Sequence, residues 1–274
     1  MFDTHCHLNF SRFKKNVEEV IKNAHAAGVK YITIPGTDIE SSQKAVEIAE
    51  KYEGIYAAVG IHPHHVYEMT GHLNDIYHLS IAELEELISH PKVVAVGEIG
   101  LDKHLYKKTK YEEYNVSDEF FNLQKELFVQ QLQLANKHHK SVILHNREAL
   151  DDFLELLTTN WDPHFEGRMV FHCCEPKKEL LDFAKKHNIF LGVDGDITYE
   201  KEKQEFIKEV PLSQLVIETD SPFLLPEPMR SRREFPNEPK HIPFIISYIA
   251  DILGKTDQEI QQITFQNSRR LFKI

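Results

Sequence analysis

Residues 1–10 read MFDTHCHLNF, a short apolar run that ends in two histidines, His5 and His7, separated by one residue. In a β-strand, residues i and i+2 lie on the same face. The imidazoles of His5 and His7 are therefore expected to point the same way, with Cys6 pointing to the opposite face. Because two imidazoles with this spacing can chelate one metal ion, the stretch predicts a buried strand that ends in a pair of ligands.

Seven further runs of strand length follow this one, and most of them are rich in Val and Ile. They are almost continuously apolar rather than alternating, which is typical of parallel strands buried on both faces. The eight predicted strands are Met1–His7, Val29–Gly36, Ile55–Ile61, Val93–Ile99, Ser141–His145, Met169–Cys173, Ile189–Val193 and Leu215–Asp220.

Segments with helical spacing of apolar residues lie between these runs. The predicted helices are Phe13–Ala27, Ser41–Tyr52, Ser80–Ser89, Asp118–His139, Glu148–Thr158, Lys177–His187, Lys201–Val210, Pro243–Leu253 and Thr256–Phe272. An open doubly wound sheet would show the same alternation, but the count of eight and the polar strand ends favour a parallel (β/α)8 TIM barrel. We expect a single domain over residues 1–274, because no linker, repeat or low-complexity segment interrupts the pattern.

Two polar stretches interrupt this rhythm, each after a predicted strand. Lys103–Ser117 is highly charged, and Pro222–Pro243 is rich in proline. In a barrel, both would be βα loops on the face that carries the active site.

Composition excludes several classes of protein. The net charge of −11 argues against a protein that coats nucleic acid non-specifically. No apolar run reaches the ~20 residues of a membrane span, and the N-terminus lacks the basic and apolar regions of a secretion signal. The three cysteines, Cys6, Cys173 and Cys174, form a poor disulfide framework, so we expect a reducing, cytoplasmic setting.

Six of the eight predicted strands end in His, Glu or Asp, which is the end where barrels hold their active sites. Any one such residue is more often a cap or a solvated side chain, but chance would scatter them over both strand ends. The expected ring consists of His5, His7, Glu98, His145, His172 and Asp220. Four imidazoles and two carboxylates exceed the three protein ligands usual for one catalytic ion, so we expect two divalent ions, with Glu98 able to bridge them. Mixed nitrogen and oxygen ligands suit Zn²⁺ or Mn²⁺ better than Mg²⁺.

Motifs from the first strand to the last helix resemble those of the TatD family of metal-dependent deoxyribonucleases. They are Phe2–Leu8 (FDTHCHL), Gly60–His64 (GIHPH), Gly97–Asp102 (GEIGLD), Leu144–Arg147 (LHNR), Phe171–Cys173 (FHC), Glu218–Pro222 (ETDSP) and Asn267–Ser268 (NS). The resemblance implies one ion on His5, His7, Glu98 and Asp220, and another on Glu98, His145 and His172. It also implies that Glu98 and Asp220 are catalytic, with Asp220 taking a proton from the attacking water or orienting that water.

Four further residues are predicted to contact the substrate. By the resemblance, His62 and His64 hydrogen-bond the scissile phosphate or support the ligands. Arg147 can clamp a phosphate, although it can equally well just open a helix. Arg230 lies in the loop after strand 8, which often helps barrels bind phosphate, although charged runs are more often solvated surface. This loop departs from the family pattern around Arg230.

The resemblance implies a 3'-5' exodeoxyribonuclease that uses two divalent metal ions (Zn, Mn or Mg) on single-stranded DNA or a DNA end, with neither a membrane nor an obligate protein partner. An alternative keeps the metals and cleaves a small-molecule or aminoacyl ester, a lactone or an amide. A non-catalytic scaffold would have lost at least one ligand, and none of the six is missing.

Overall fold

In the computed structural model, which describes residues 1–69 and 75–274 and the side chains of 1–69 and 80–274, eight parallel strands follow one another in sequence order. The strands are β1 (Phe2–Asp3), β2 (Tyr31–Pro35), β3 (Ile55–Val59), β4 (Val93–Asp102), β5 (Ser141–Arg147), β6 (Met169–Phe171), β7 (Phe190–Val193) and β8 (Leu215–Ile217). Each strand pairs in parallel with the next one along the chain.

Backbone hydrogen bonds between the segments that follow β1 and β8 close the sheet into a barrel. The Thr4 amide donates to the carbonyl of Ile217 at 3.1 Å, and the Asp220 amide donates to the carbonyl of His5 at 2.9 Å. The His7 amide donates to the carbonyl of Ser221 at 2.8 Å. The predicted (β/α)8 barrel is confirmed, and its closure brings together the first and last segments that carry predicted ligands.

Helices surround the barrel and connect its strands. They are α1 (Val17–Ala26), α2 (Ile39–Lys51), α3 (Asp75–Ile88), α4 (Asp118–Lys137), α5 (Leu150–Thr159), α6 (Lys178–His187), α7 (Lys201–Phe206), α8 (Met229–Arg232), α9 (Ile242–Leu253) and α10 (Asp257–Phe272). None of the described helices is both long enough and apolar enough to cross a membrane.

Alternation along the strands explains how the polar residues reach the inside of the barrel. Ile143, Val170 and Val216 belong to a small apolar cluster closed by the end of α10, while their neighbours along each strand belong to the larger core under the helices. Two residues after Ile143 and Val170 come His145 and His172, which lie on the same strand face. The inside face is thus apolar at one end of the barrel and carries the predicted metal ligands at the other.

The strand boundaries differ from the sequence prediction, and at β1 and β4 the hydrogen bonds explain the difference. β1 ends at Asp3 because the backbone beyond it bonds alternately to β2 and β8, as when the Cys6 amide donates to Thr33 at 3.1 Å. β4 runs past its predicted end to Asp102, which pairs with Arg147 after a register shift between Val96 and Ile99.

Candidate metal centre

The six predicted ligands converge at the carboxyl ends of the strands, and all of them except His5 line a cavity of about 650 Å³. His5 is fully buried and Glu98 is 3% exposed, so the centre of the group is shielded from solvent. Asp220 is more open, with its side chain 13% exposed. The cavity volume is within the range typical of small-ligand sites.

One group of ligands lies around the Oε2 atom of Glu98. The Nε2 atoms of His5 and His7 are 3.1 Å apart, and they lie 3.3 Å and 3.8 Å from Glu98 Oε2. Asp220 Oδ1 lies 3.4 Å from Nε2 of His7. His5, His7 and Asp220 together are close enough to hold one metal ion.

A second group lies around the other carboxylate oxygen of Glu98. His145 Nδ1 is 2.8 Å from Glu98 Oε1, and His172 Nε2 is 3.5 Å from the same atom. Glu98, His145 and His172 also form a group that could hold a metal ion. The two oxygens of Glu98 therefore face two different sets of imidazoles.

Two buried carboxylates that were not predicted orient the histidines of this second group. Glu218 Oε1 lies 2.9 Å from His172 Nδ1, and Asp102 Oδ2 lies 3.2 Å from His145 Nε2. Metal-binding histidines usually bond a carboxylate through their second nitrogen, which fixes the ring. Asp102 and Glu218 lie at strand ends within the motifs Gly97–Asp102 and Glu218–Pro222. This position in the sequence is the feature that could have identified them as site residues.

The centre attracts positive charge. Burial raises the pKa of Glu98, but the neighbouring His172, His62 and His5 outweigh it and hold that pKa well below its ordinary value. Burial lowers the pKa of His172, but Glu98 and Glu218 more than offset this and raise it to about 10. The buried carboxylates thus stabilise cationic partners.

The donor set fits divalent cations. The Nε2 atoms of His5 and His7 face each other, and Oε2 of Glu98 lies beside them. At most one proton can lie between these two nitrogen atoms. A cation between them would satisfy both lone pairs and the carboxylate together. Neutral imidazole and carboxylate are the ligand types that zinc and manganese sites use.

Two glycines make room for this arrangement. Gly100 has φ +150°, and a Cβ atom there would lie 1.8 Å from the carbonyl oxygen of His145. A Cβ atom at Gly192 would lie 2.6 Å from both carboxylate oxygens of Glu218. Only a residue without a side chain therefore fits beside each of these groups.

The four predicted substrate-binding residues occupy different places. His62, His64 and Arg147 line the cavity, and His62 Nε2 lies 3.5 Å from Glu98 Oε1. The Arg147 guanidinium lies over the ring of Tyr106 and bonds its hydroxyl at 3.2 Å. Arg230 lies outside the lining residues, over the ring of Tyr199 at 4.0 Å.

A buried ion cluster that was not predicted forms another part of the wall. Lys203 Nζ lies 2.5 Å from Asp196 Oδ2, 3.5 Å from Asp194 Oδ2 and 3.8 Å from Cys173 Sγ. The two carboxylates and the Cys173 thiol are close enough to hold a cation, and the ammonium group of Lys203 already lies among them. Among the described residues that line the cavity, Lys203 and Arg147 are the basic ones apart from the histidines.

Known proteins are similar to this chain in sequence and in fold. The sequence profile of the TatD related DNase family matches residues 2–273. The chain is 37% identical to the uncharacterized metal-dependent hydrolase YabD of Bacillus subtilis, over 100% of this chain and 99% of that protein. It is 33% identical to the 3'-5' ssDNA/RNA exonuclease TatD of Erwinia billingiae, over 100% and 99% of the two chains. The crystal structure of YjjV, a TatD homolog from Escherichia coli, superposes with a TM-score of 0.83 at 29% identity, covering 100% of this chain and 98% of that one.

Proposed function

Because this chain belongs to the TatD family of metal-dependent hydrolases, we propose that it hydrolyses phosphodiester bonds at the end of single-stranded DNA, in the 3'-5' direction, at a centre of two divalent cations. The exonuclease names of its relatives support the choice of substrate and direction.

The observation that carries the proposal is the position of Glu98. Its Oε2 atom lies 3.3 Å from Nε2 of His5, and its Oε1 atom lies 2.8 Å from Nδ1 of His145. A carboxylate with one oxygen toward each of two ligand groups is arranged to bridge two cations. His5, His7 and Asp220 would complete one site, and His145 and His172 the other. When bound there, two such cations would supply charge stabilisation for phosphoryl transfer and would lower the pKa of a water molecule.

Asp220 is the residue best placed to handle a proton. Its carboxylate lines the cavity, and its main chain is held by the bond from its amide to His5. We assign it the role of general base, in which it accepts a proton from the attacking water. Glu98 is more deeply buried and serves to hold the cations in place.

Basic side chains on the cavity wall favour an anionic substrate. Arg147 is exposed and lies against Tyr106, and the ammonium group of Lys203 is fixed by Asp196. With His62 and His64, they offer donors to a scissile phosphate and its neighbours. Arg230 would act only on a strand that extends beyond the cavity.

The test is cleavage of end-labelled single-stranded DNA by the purified protein with Mn²⁺, Mg²⁺ or Zn²⁺. We expect stepwise shortening from the 3' end, and a loss of about 10²- to 10⁴-fold in Asp220→Asn, because a general base contributes about that much. Asp251→Asn, which changes an exposed acid in α9, is the matched control and should retain the wild-type rate. No cleavage in any metal would contradict the proposal and favour an ester, lactone or amide substrate.

A further inference from the structure

One exposed aromatic ring lies at the cavity. Among the described residues, the exposed large apolar side chains are Leu105, Phe223, Phe235 and Phe244. Phe223 is 52% exposed, and of these four it is the one that lines the cavity. Single exposed apolar residues are ordinary, so its exposure alone indicates nothing; its position beside the metal ligands is the informative feature.

The backbone fixes this ring relative to the metal centre. The amide of Phe223 donates to the carbonyl of Asp220 at 2.8 Å, and the amide of Asp220 donates to the carbonyl of His5 at 2.9 Å. The carbonyl of the preceding Pro222 accepts from the amide of Asn237 at 3.1 Å. Two successive backbone hydrogen bonds thus link Phe223 to Asp220 and Asp220 to His5, and both of these residues are predicted ligands.

The neighbouring rings leave Phe223 open toward the cavity. Phe10 stacks on the imidazole of His7, with ring centroids 4.3 Å apart and planes 16° apart. Phe223 meets Phe10 at 6.3 Å with planes 72° apart, so the contact is edge to face. Phe10 therefore supports the imidazole of His7, whereas about half of Phe223 is not covered by the protein.

We propose that Phe223 is a stacking surface for a nucleobase next to the scissile phosphate. This rests on the proposed function, because a phosphodiester held at Glu98 and Asp220 places its adjacent nucleoside in the same cavity. Aromatic rings in single-strand-binding proteins stack on bases without reading their sequence, because every base has a π-face. The ring thus supplies affinity for a strand end of any sequence.

The test compares Phe223→Ala with wild type on single-stranded oligonucleotides that are normal or carry one abasic residue on either side of the terminal phosphodiester. With normal strands we expect the KM of Phe223→Ala to rise by roughly 5- to 100-fold, the range for loss of one stacked base. With the abasic residue at the stacked position, wild type and variant should have the same KM. Phe223→Trp should restore tight binding of the normal strand.

Phe235→Ala is the matched control, because Phe235 is 60% exposed in the same loop but does not line the cavity. It should leave KM unchanged on every strand. Equal KM values for Phe223→Ala and wild type on normal strands, or the same rise on abasic and normal strands, would overturn the stacking role while cleavage itself persists. No oligonucleotide cleavage by wild type would overturn the proposed function as well, so the two failures are distinguishable.

Discussion

At the residue scale, each imidazole of the second ligand group is held between two carboxylates. His172 has Glu98 at one nitrogen and Glu218 at the other, and His145 has Glu98 and Asp102. Asp102 and Glu218 fix the rings of these histidines, so that the nitrogen facing Glu98 is free to bind a metal ion.

The positions of the six candidate ligands could be predicted, because they follow apolar strands. The positions of Asp102 and Glu218 could not, because spacing does not tell which acid faces an ion and which faces a histidine.

The orienting role of Glu218 leads to a prediction. Glu218 accepts from the backbone amide of Cys173 at 2.6 Å and bonds His172 at 2.9 Å. In Glu218→Gln the geometry is kept and the charge is lost, so we expect metal affinity to fall by about 10- to 100-fold. Isothermal titration with Mn²⁺ measures this, with Glu179→Gln on the exposed face of α6 as control. An affinity equal to that of wild type would rule out the orienting role.

At the element scale, the length of a strand depends on its partners as much as on its own sequence. The apolar pattern predicted all eight strands, but β4 and β5 are longer than predicted and the other strands are shorter. The chain beyond β1 alternates between two neighbours, and β4 gains pairs with β5 up to Asp102. These hydrogen bonds join segments far apart in sequence, so the local pattern carries no information about them.

The segment between β8 and α9 contains a buried histidine that should make stability depend on pH. Burial, and then Lys240, lower the pKa of His241 to about 4, whereas an unfolded histidine has a pKa of about 6.5. The folded state therefore binds fewer protons than the unfolded state between these values. This contribution to stability is complete above about pH 6.5 and is lost as the pH falls through about 4.

The free energy of unfolding should fall on acidification in both proteins, but by about 1–3 kcal/mol less in His241→Asn than in the wild type. Urea unfolding of the metal-free protein from pH 7.5 to 4.5 measures it. Asparagine can still bond Asn237, the partner of His241 Nδ1 at 2.8 Å. Replacement of the exposed His25 by Asn is the control and should leave the pH profile as it is. An identical profile for His241→Asn would show that this residue does not govern acid sensitivity.

At the scale of the whole molecule, barrel closure assembles the site. His5 and Asp220 follow the first and the last strand and are far apart in sequence, yet the Asp220 amide donates to the carbonyl of His5. The count of eight alternating strands and helices, together with the polar residues at the strand ends, was enough to predict this architecture. The cavity wall was less predictable, because Lys203 enters it from a segment with no catalytic motif and Phe223 lies just beyond the motif that contains Asp220. A net charge of −11 does not exclude a nucleic acid substrate, because two bound cations would concentrate positive charge at the site.

The most direct test of this account is the number of metal ions per chain, measured by elemental analysis after dialysis against a fixed free concentration of Zn²⁺ or Mn²⁺. We predict two ions in wild type and in His25→Ala, one in His7→Ala, one in His145→Ala, and a loss of both in Glu98→Ala. One ion in the wild type, or two retained in Glu98→Ala, would contradict a centre bridged by Glu98.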